Sequence, residues 1–523
     1  MTESSPQTTD YDVVVIGGAF AGGAFSGLLR RLHPTARVLV VESQERFGRK
    51  VGEATVEVSA FFLHRVLGLY DVLSREHLPK HGLRYWFSDR TDRPLGEMAE
   101  VGSARLPLLP TFQLDRSKLD ETILEHAAEG GAEILRPARV KAVEHGWPVS
   151  TIVVDSAAGE RTVTARWVVD ASGRHQFIAR RQRLRQRVEE HPTAAVWGRW
   201  RGVADFDGLA ARGSDPRQPQ LPELSTARRL ATNHFCGYGW WCWTIPLGGG
   251  ETSVGLVYNK ELFTLAGDGD LRQRYESFVR QQAGLRELLA EGEICEDDFH
   301  SYSHLPYATS RYIDRGWALV GDAASFMDPY YSPGLDHAAI SVYATARLIE
   351  DDLAGRLAGE ALGERVEAHN ANFLRSYDRW LSALYLGKYE LMGDAELTGA
   401  AFLLDTALYY MGVVSPIHDD VEALANPLFG LPIPQATVAY RILAGYNRRL
   451  VRLARFRRRI GTYGKRNVGW RLYAKTPGLK LGALGMLRQG LGLWWRAEAQ
   501  YLFYRLRRGG LDLSAPVPHQ ATS

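Results

Sequence analysis

The stretch YDVVVIGGAFAGGAFSGLLRRLHPTARVLVVESQ, Tyr11 to Gln44, decides how the rest of the chain is read. DVVVI is an unbroken apolar run, as strands buried on both faces of a parallel sheet are. A glycine-rich turn, a helical segment and a second apolar run, RVLVVE, follow it. Gly17, Ala19 and Gly22 occupy the three positions of a G-x-G-x-x-G turn, with Ala19 in place of the usual second glycine. Bare backbone there lets a pyrophosphate approach, and the helix N-terminus behind it favours the negative charge. Glu42 closes the second strand twenty residues after Gly22, where a carboxylate holds ribose hydroxyls. Together these features predict an α/β, Rossmann-like βαβ domain that binds a dinucleotide.

Two later segments select FAD over NAD. WVVDASGR (Trp167 to Arg174) reads as a strand ending in Asp170, Ala171 and Gly173. RGWALVGDAASFMDPYYSPGLDHAAISVYATARLI (Arg315 to Ile349) reads as strand, GD turn, proline, glycine and long helix. Asp322 of the GD turn is placed to reach the ribityl chain of a flavin. The Pro329 to Gly334 turn would set backbone N–H groups beneath the isoalloxazine ring, where a helix N-terminus favours a negative, reduced flavin. TFQLDRSKLDETILEHAAEGGAEILRPARV (Thr111 to Val140) adds Gln113 and Arg116 as contacts to flavin or pyrophosphate, with Asp115 as the helix cap.

Bulk composition narrows the class. The chain has 523 residues, 45% hydrophobic and 24% charged, and a net charge of +3, so nothing pulls it toward nucleic acid. Cys236, Cys242 and Cys295 lack metal-ligand spacing, so no metal and no disulfide framework are expected, and a cytoplasmic location is. The polar N-terminus carries no signal-peptide pattern, and no long uncharged apolar run predicts a membrane span. The expected organisation is an FAD-binding domain in two parts, 10–185 and 306–355. Between them lies an antiparallel-sheet substrate domain, 186–305, and after them a helical basic region, 356–510. Between Arg441 and Gly510 there are 18 Lys and Arg against one acid, Glu498. NRRLVRLARFRRRIG and GLWWRAEAQYLFYRLRR set arginines beside Leu, Trp, Tyr and Phe at helical spacing. Such helices suit a peripheral contact with a membrane surface, an acidic carrier protein, or the chain's own acidic body.

Four separated motifs resemble those of the flavin-dependent halogenases, the tryptophan halogenase-like branch of the p-hydroxybenzoate hydroxylase-type FAD monooxygenase fold. WCWTIP (Trp241, Trp243, Ile245, Pro246) matches their W-x-W-x-I-P signature. KVGEAT (Lys50 to Thr55) resembles the stretch after their second strand. LPKHGLRYWF (Leu78 to Phe87) resembles the segment with their active-site lysine, and GDAASFMDPYYSPG their flavin and halide loop. The resemblance spans roughly residues 10 to 350. It implies reduced FAD from a separate flavin reductase, oxygen, and halide oxidised to hypohalous acid. The substrate it implies is electron-rich, aromatic or conjugated, free or carrier-tethered, in secondary metabolism.

Under that resemblance Lys80 is the catalytic lysine, acting as a neutral haloamine former or as an ammonium that hydrogen-bonds hypohalous acid. Glu53 is its partner acid. Trp241 and Trp243 alternate on a strand, face one side, and form a wall between flavin and substrate that passes only a small molecule. Ser332 and Gly334 supply donors to halide. Pro333, which has neither N–H nor hydroxyl, stands where the loop usually carries Ser or Thr. That departure keeps open a monooxygenase or dehydrogenase that uses no halide. A non-catalytic flavin-binding partner is the reading from a different class.

Overall fold

The computed structural model describes residues 9–107, 109–211, 226–426, 428–474 and 481–508. β1 (Tyr11–Ile16) and β2 (Val38–Val41) pair in parallel around the helix α1 (Phe20–Leu32), as the opening stretch predicts. On its other side β1 pairs in parallel with Gly159–Asp170, and that strand pairs with Trp317–Leu319. Glu133–Leu135 flanks β2. The parallel sheet therefore draws its strands from two distant parts of the chain, as expected. Val13, Val14, Val15 and Val40 are completely buried, which explains the unbroken apolar runs.

A second sheet stands over the first. Its order is Glu293–Tyr302, Thr193–Arg201, Thr252–Asn259, Trp240–Pro246, Thr232–Gly237, Leu83–Phe87, Ala99–Ser103 and Arg471–Ala474. The first five strands pair antiparallel. The last three lie outside 186–305. Leu83–Phe87 joins in parallel beside Thr232–Gly237, and Arg471–Ala474, a strand within the predicted helical tail, joins beside Ala99–Ser103. The reason is burial. Tyr85, Trp86 and Phe87 are completely covered, and an apolar strand of this kind cannot stand at a sheet edge.

A buried ion cluster locks this extension. Arg84 and Glu100, both fully buried, pair across adjacent strands. Glu100 also takes the Arg228 guanidinium at 2.9 and 3.0 Å and the Tyr473 hydroxyl at 2.8 Å. The tail strand is thus tied to the sheet through a charge that has no access to water.

The C-terminal region is built on the helices Gly359–Trp380, Ala395–Tyr409, Pro434–Arg459 and Leu481–Arg508. The run Ala395–Asp419 is apolar and long enough to cross a membrane, but its most apolar window is 72% buried, and it forms the core of this region. Many tail arginines fold onto the body. Arg457 pairs with Asp394 and Glu396, Arg455 with Glu390, and Arg449 with Glu498. Part of the basic excess is thereby neutralised by the chain itself.

Removing the carboxylate in Glu100→Ala leaves the Arg84 charge buried and unpaired, which should cost about 3–5 kcal/mol. Urea unfolding followed by tryptophan fluorescence should show a clearly lowered midpoint. An unchanged midpoint would mean that the cluster does not hold the sheet together.

Candidate active site

The glycine turn is shaped by close backbone approach. Gly17 has φ +95°, in the left-handed region that favours glycine, and a side chain there would sit 2.8 Å from the Ala171 carbonyl oxygen. At Gly22 a Cβ would lie 1.8 Å from the Gly17 carbonyl oxygen, so only glycine lets α1 begin this close to β1. Ala19 immediately precedes α1 in an extended conformation, and no side chain caps the helix, so its first N–H groups face outward. The Glu42 carboxylate reaches back over this turn and accepts the Gly18 N–H at 2.7 Å. Arg116 stands at the same helix end. It forks onto Asp120 at 2.9 and 3.1 Å, and its guanidinium lies 5.6 Å from the Phe20 ring. Burial raises the pKa of Asp322, opposed by Arg174 and Arg116, and its carboxylate takes no hydrogen bond from the described residues. An open helix N-terminus, a cradle that a Cβ would fill, a carboxylate at the end of β2, and an aspartate under the influence of two arginines with no hydrogen-bond partner among the described residues fit an FAD. Gly17, Ala19, Gly22, Glu42, Arg116 and Asp322 would hold it.

The Pro329–Gly334 turn leads into the helix Gly334–Leu353. Tyr331 (φ 73°) and Ser332 (φ 58°) both adopt the left-handed conformation without being glycine. Such strain persists only where surroundings enforce it. Here the Tyr331 hydroxyl donates to Asp405 at 2.9 Å, and the buried Lys388 ammonium donates to the same carboxylate at 2.7 Å. Gly334 needs no such freedom, since a methyl there would make only ordinary contact with Phe326 at 3.9 Å. Pro333 directly precedes the helix, so the N–H series at its start begins with Gly334.

Beside this helix start lies a cavity that, with its opening, measures about 1390 Å³. Lys80, Glu57, Asp336, Tyr331 and Pro333 meet in its wall, with Phe402, Trp380 and Met486 from the C-terminal helices. Lys80 comes from the short strand Leu78–Lys80, which pairs with Thr111–Gln113. It is 2% exposed, and its ammonium donates to the Thr55 carbonyl at 2.7 Å. Burial lowers its pKa to about 8, against the pull of Glu57 and Asp336. Asp336 accepts the Ser59 N–H and the Tyr409 hydroxyl, each at 2.7 Å, and burial pushes its pKa up to about 6. Two π-helical turns, Leu381–Tyr385 and Tyr410–Val414, carry Leu384, Tyr385, Tyr410 and Val413 into the wall, a backbone irregularity that recurs at functional sites.

Glu53 and the tryptophans lie elsewhere than expected. Glu53 does not line the cavity; it pairs with Arg199 at 3.0 Å, in a cluster with Asp115 at 3.2 Å and Glu251 at 3.3 Å. Burial pushes its pKa up to about 7, against the Arg199 charge. The acids that face Lys80 are Glu57 and Asp336. Trp241 and Trp243 do share a face, with ring centroids 5.8 Å apart, but both are buried and neither lines the cavity. Trp241 packs on Tyr330 at 5.5 Å and donates to the Tyr389 hydroxyl at 3.0 Å, which in turn donates to Asp328 at 2.9 Å. Trp241 therefore braces the turn, and Trp243 packs on Trp241 and Trp197. Glu57, Asp336, Tyr409 and Asp405 escape sequence reasoning; only the carboxylate in the first turn after Gly334 is a local signal.

Residues 10–207 match the FAD binding domain family. The flavin-dependent halogenase chlA of Dictyostelium discoideum is 27% identical over 438 residues, covering 76% of this chain and 69% of its own length. The 1H-pyrrole-2-carbonyl-[peptidyl-carrier protein] chlorinase of Pseudomonas fluorescens is 28% identical over 365 residues, covering 66% of this chain and 76% of its own. Among solved structures, halogenase PltM in complex with phloroglucinol and FAD superposes with a TM-score of 0.70 at 16% identity, covering 94% of this chain and 96% of that one. The chondrochloren halogenase CndH gives 0.59 at 20% identity, covering 83% and 97%. The chain is thus an FAD-dependent enzyme similar in sequence and in fold to the flavin-dependent halogenases.

Proposed function

We propose that the protein halogenates an electron-rich aromatic or conjugated substrate, using reduced FAD, oxygen and halide, and that Lys80 directs the oxidant. Bound reduced flavin supplies the two electrons that let oxygen convert halide to hypohalous acid. The observation that carries the reading is a buried lysine ammonium in the wall of a cavity, close in the fold to the helix start that follows the Pro329–Gly334 turn. Lys80 serves as the ammonium, because Glu57 and Asp336 both favour its charge. It can donate to the oxygen of hypohalous acid and so make the halogen more electrophilic, while the Thr55 carbonyl fixes its direction. Asp336, held by Ser59 and Tyr409, is placed to take the proton that the ring gives up. The Gly334 N–H and the Ser332 hydroxyl are the donors for halide, and Trp241 braces their turn through Tyr330. Reduced flavin comes from a separate reductase. The substrate is a small molecule, free or tethered as in the chlorinase relative, whose substrate is carried on a peptidyl carrier protein.

Pro333 favours a second reading, oxygenation on the same scaffold without halide, because it contributes no N–H at the helix start. Bromide separates the two. With phloroglucinol as an electron-rich probe, mass spectrometry should find a brominated product only when bromide is present. A hydroxylated product indifferent to bromide would support the second reading.

Lys80→Met should lose brominated product by about 100-fold or more while retaining FAD and its oxidation by oxygen. Product formation at the wild-type rate would remove Lys80 from the mechanism. Because the Lys80 pKa lies at about 8, the ammonium is present below that pH and lost above it. The wild-type rate should therefore fall as pH rises through about 8, and a rise over the same interval would assign the neutral amine instead. Gly22→Ala, whose methyl collides with backbone, should retain about a tenth or less of the wild-type FAD, read from the ratio of 450 to 280 nm absorbance. Normal FAD content would contradict the placement of the dinucleotide on this turn.

A further inference from the structure

Among the described residues, one face of the helix Leu481–Arg508 has no partner. Leu484, Leu491, Trp495, Leu502 and Leu506 are 52, 44, 65, 49 and 86% exposed. Their spacings of seven, four, seven and four residues place all five within an arc of about 60° on the helix Leu481–Arg508. The line runs for about 33 Å at 1.5 Å per residue. The opposite face, with Met486, Leu493, Ala497 and Tyr501, is buried against the body, which fixes which side points outward. The neighbouring helix Pro434–Arg459 meets this one through Arg449 and Phe456. Farther along that same helical face it exposes Val438 and Ile442, at 54 and 53%. The apolar surface therefore continues beyond one helix.

The exposed charges of these two helices are of one sign. Arg488 lies within the apolar arc and Arg505 flanks it, Arg507 stands exposed farther round, and Arg496 on that side pairs with Glu396 at 3.4 Å, while Arg441, Arg448 and Arg452 stand exposed on the neighbouring helix. The acid of the last helix, Glu498, is buried and held by Arg449 at 2.6 Å through both oxygens. A second copy docked symmetrically would set these arginines against their own images. A long apolar line with a tryptophan, on helices whose exposed charges are arginines, matches the boundary of headgroups and acyl chains in an anionic bilayer. We propose that this face docks the protein on an anionic lipid surface. The same helix sends Met486 from its inner side into the cavity wall, two residues after Leu484 begins the outer line. Arg105, the exposed residue of that wall, precedes exposed Leu106. Docking would bring one end of the cavity close to the membrane, where an amphiphilic substrate could be collected. The proposal does not depend on the halogenation reading, since any reaction in the cavity would be supplied in the same way.

The test is co-sedimentation of the full-length, FAD-containing protein with vesicles of phosphatidylcholine alone or with about 30% phosphatidylserine. Binding should be at least about tenfold tighter to the anionic vesicles, with a blue shift of tryptophan fluorescence. The double variant Trp495→Glu/Leu506→Glu, which touches only exposed positions, should keep its FAD and lose about tenfold or more in binding. Failure to bind anionic vesicles, or equal binding by the double variant, would overturn the proposal. Light scattering that shows a dimer in the wild type and a monomer in the double variant would also overturn it, by assigning the face to a second copy.

Discussion

An ammonium removed from water must be compensated by its surroundings, and the site is organised around that requirement at Lys80. The short strand that carries Lys80 pairs with Thr111–Gln113, which places its ammonium on the Thr55 carbonyl. Glu57 and Asp336 then share the positive charge electrostatically without forming direct ion pairs with it, and each carboxylate is satisfied by a tyrosine hydroxyl. Lys80 is therefore left with one protein acceptor and with donor capacity toward the cavity. Lys388, by contrast, is held by two side-chain acceptors, Asp405 and Asn447. That contrast supports the role proposed for Lys80.

The turn next to the cavity is held by a different set of forces. Two left-handed residues in succession, neither of them glycine, need support from both sides. The C-terminal helices supply Asp405 and Lys388 to Tyr331, and the second sheet supplies Trp241 through Tyr389 and Asp328. The cavity, the turn and the tail are consequently one mechanical unit. Through this unit the tail contributes Phe402, Trp380 and Met486 to the wall.

How much of this was legible in the sequence follows from the range of each interaction. The dinucleotide turn is local, since Gly17, Gly22 and Glu42 lie within one βαβ unit, and its geometry agrees with the spacing. Lys80 was recoverable only through a motif, because nothing in its neighbours states that the strand turns inward. Glu53 illustrates the opposite case. Two residues from the carbonyl that holds Lys80, it is drawn instead to Arg199, far along the chain, and no local pattern records that capture. The tryptophans share a face as alternation predicts, but which side of the sheet faces the cavity is set by long-range packing. For the same reason strands from 83–87, 99–103 and 471–474 joined a sheet expected to be complete within 186–305.

In the proposed reaction an oxidant derived from halide is made beside the Pro329–Gly334 turn and handed to Lys80. The most direct measurement mixes the protein loaded with reduced FAD rapidly with oxygen over a range of bromide concentrations and follows flavin re-oxidation by absorbance. The rate should rise with bromide and saturate, as a built halide site requires. A rate unaffected by bromide at any concentration would contradict it.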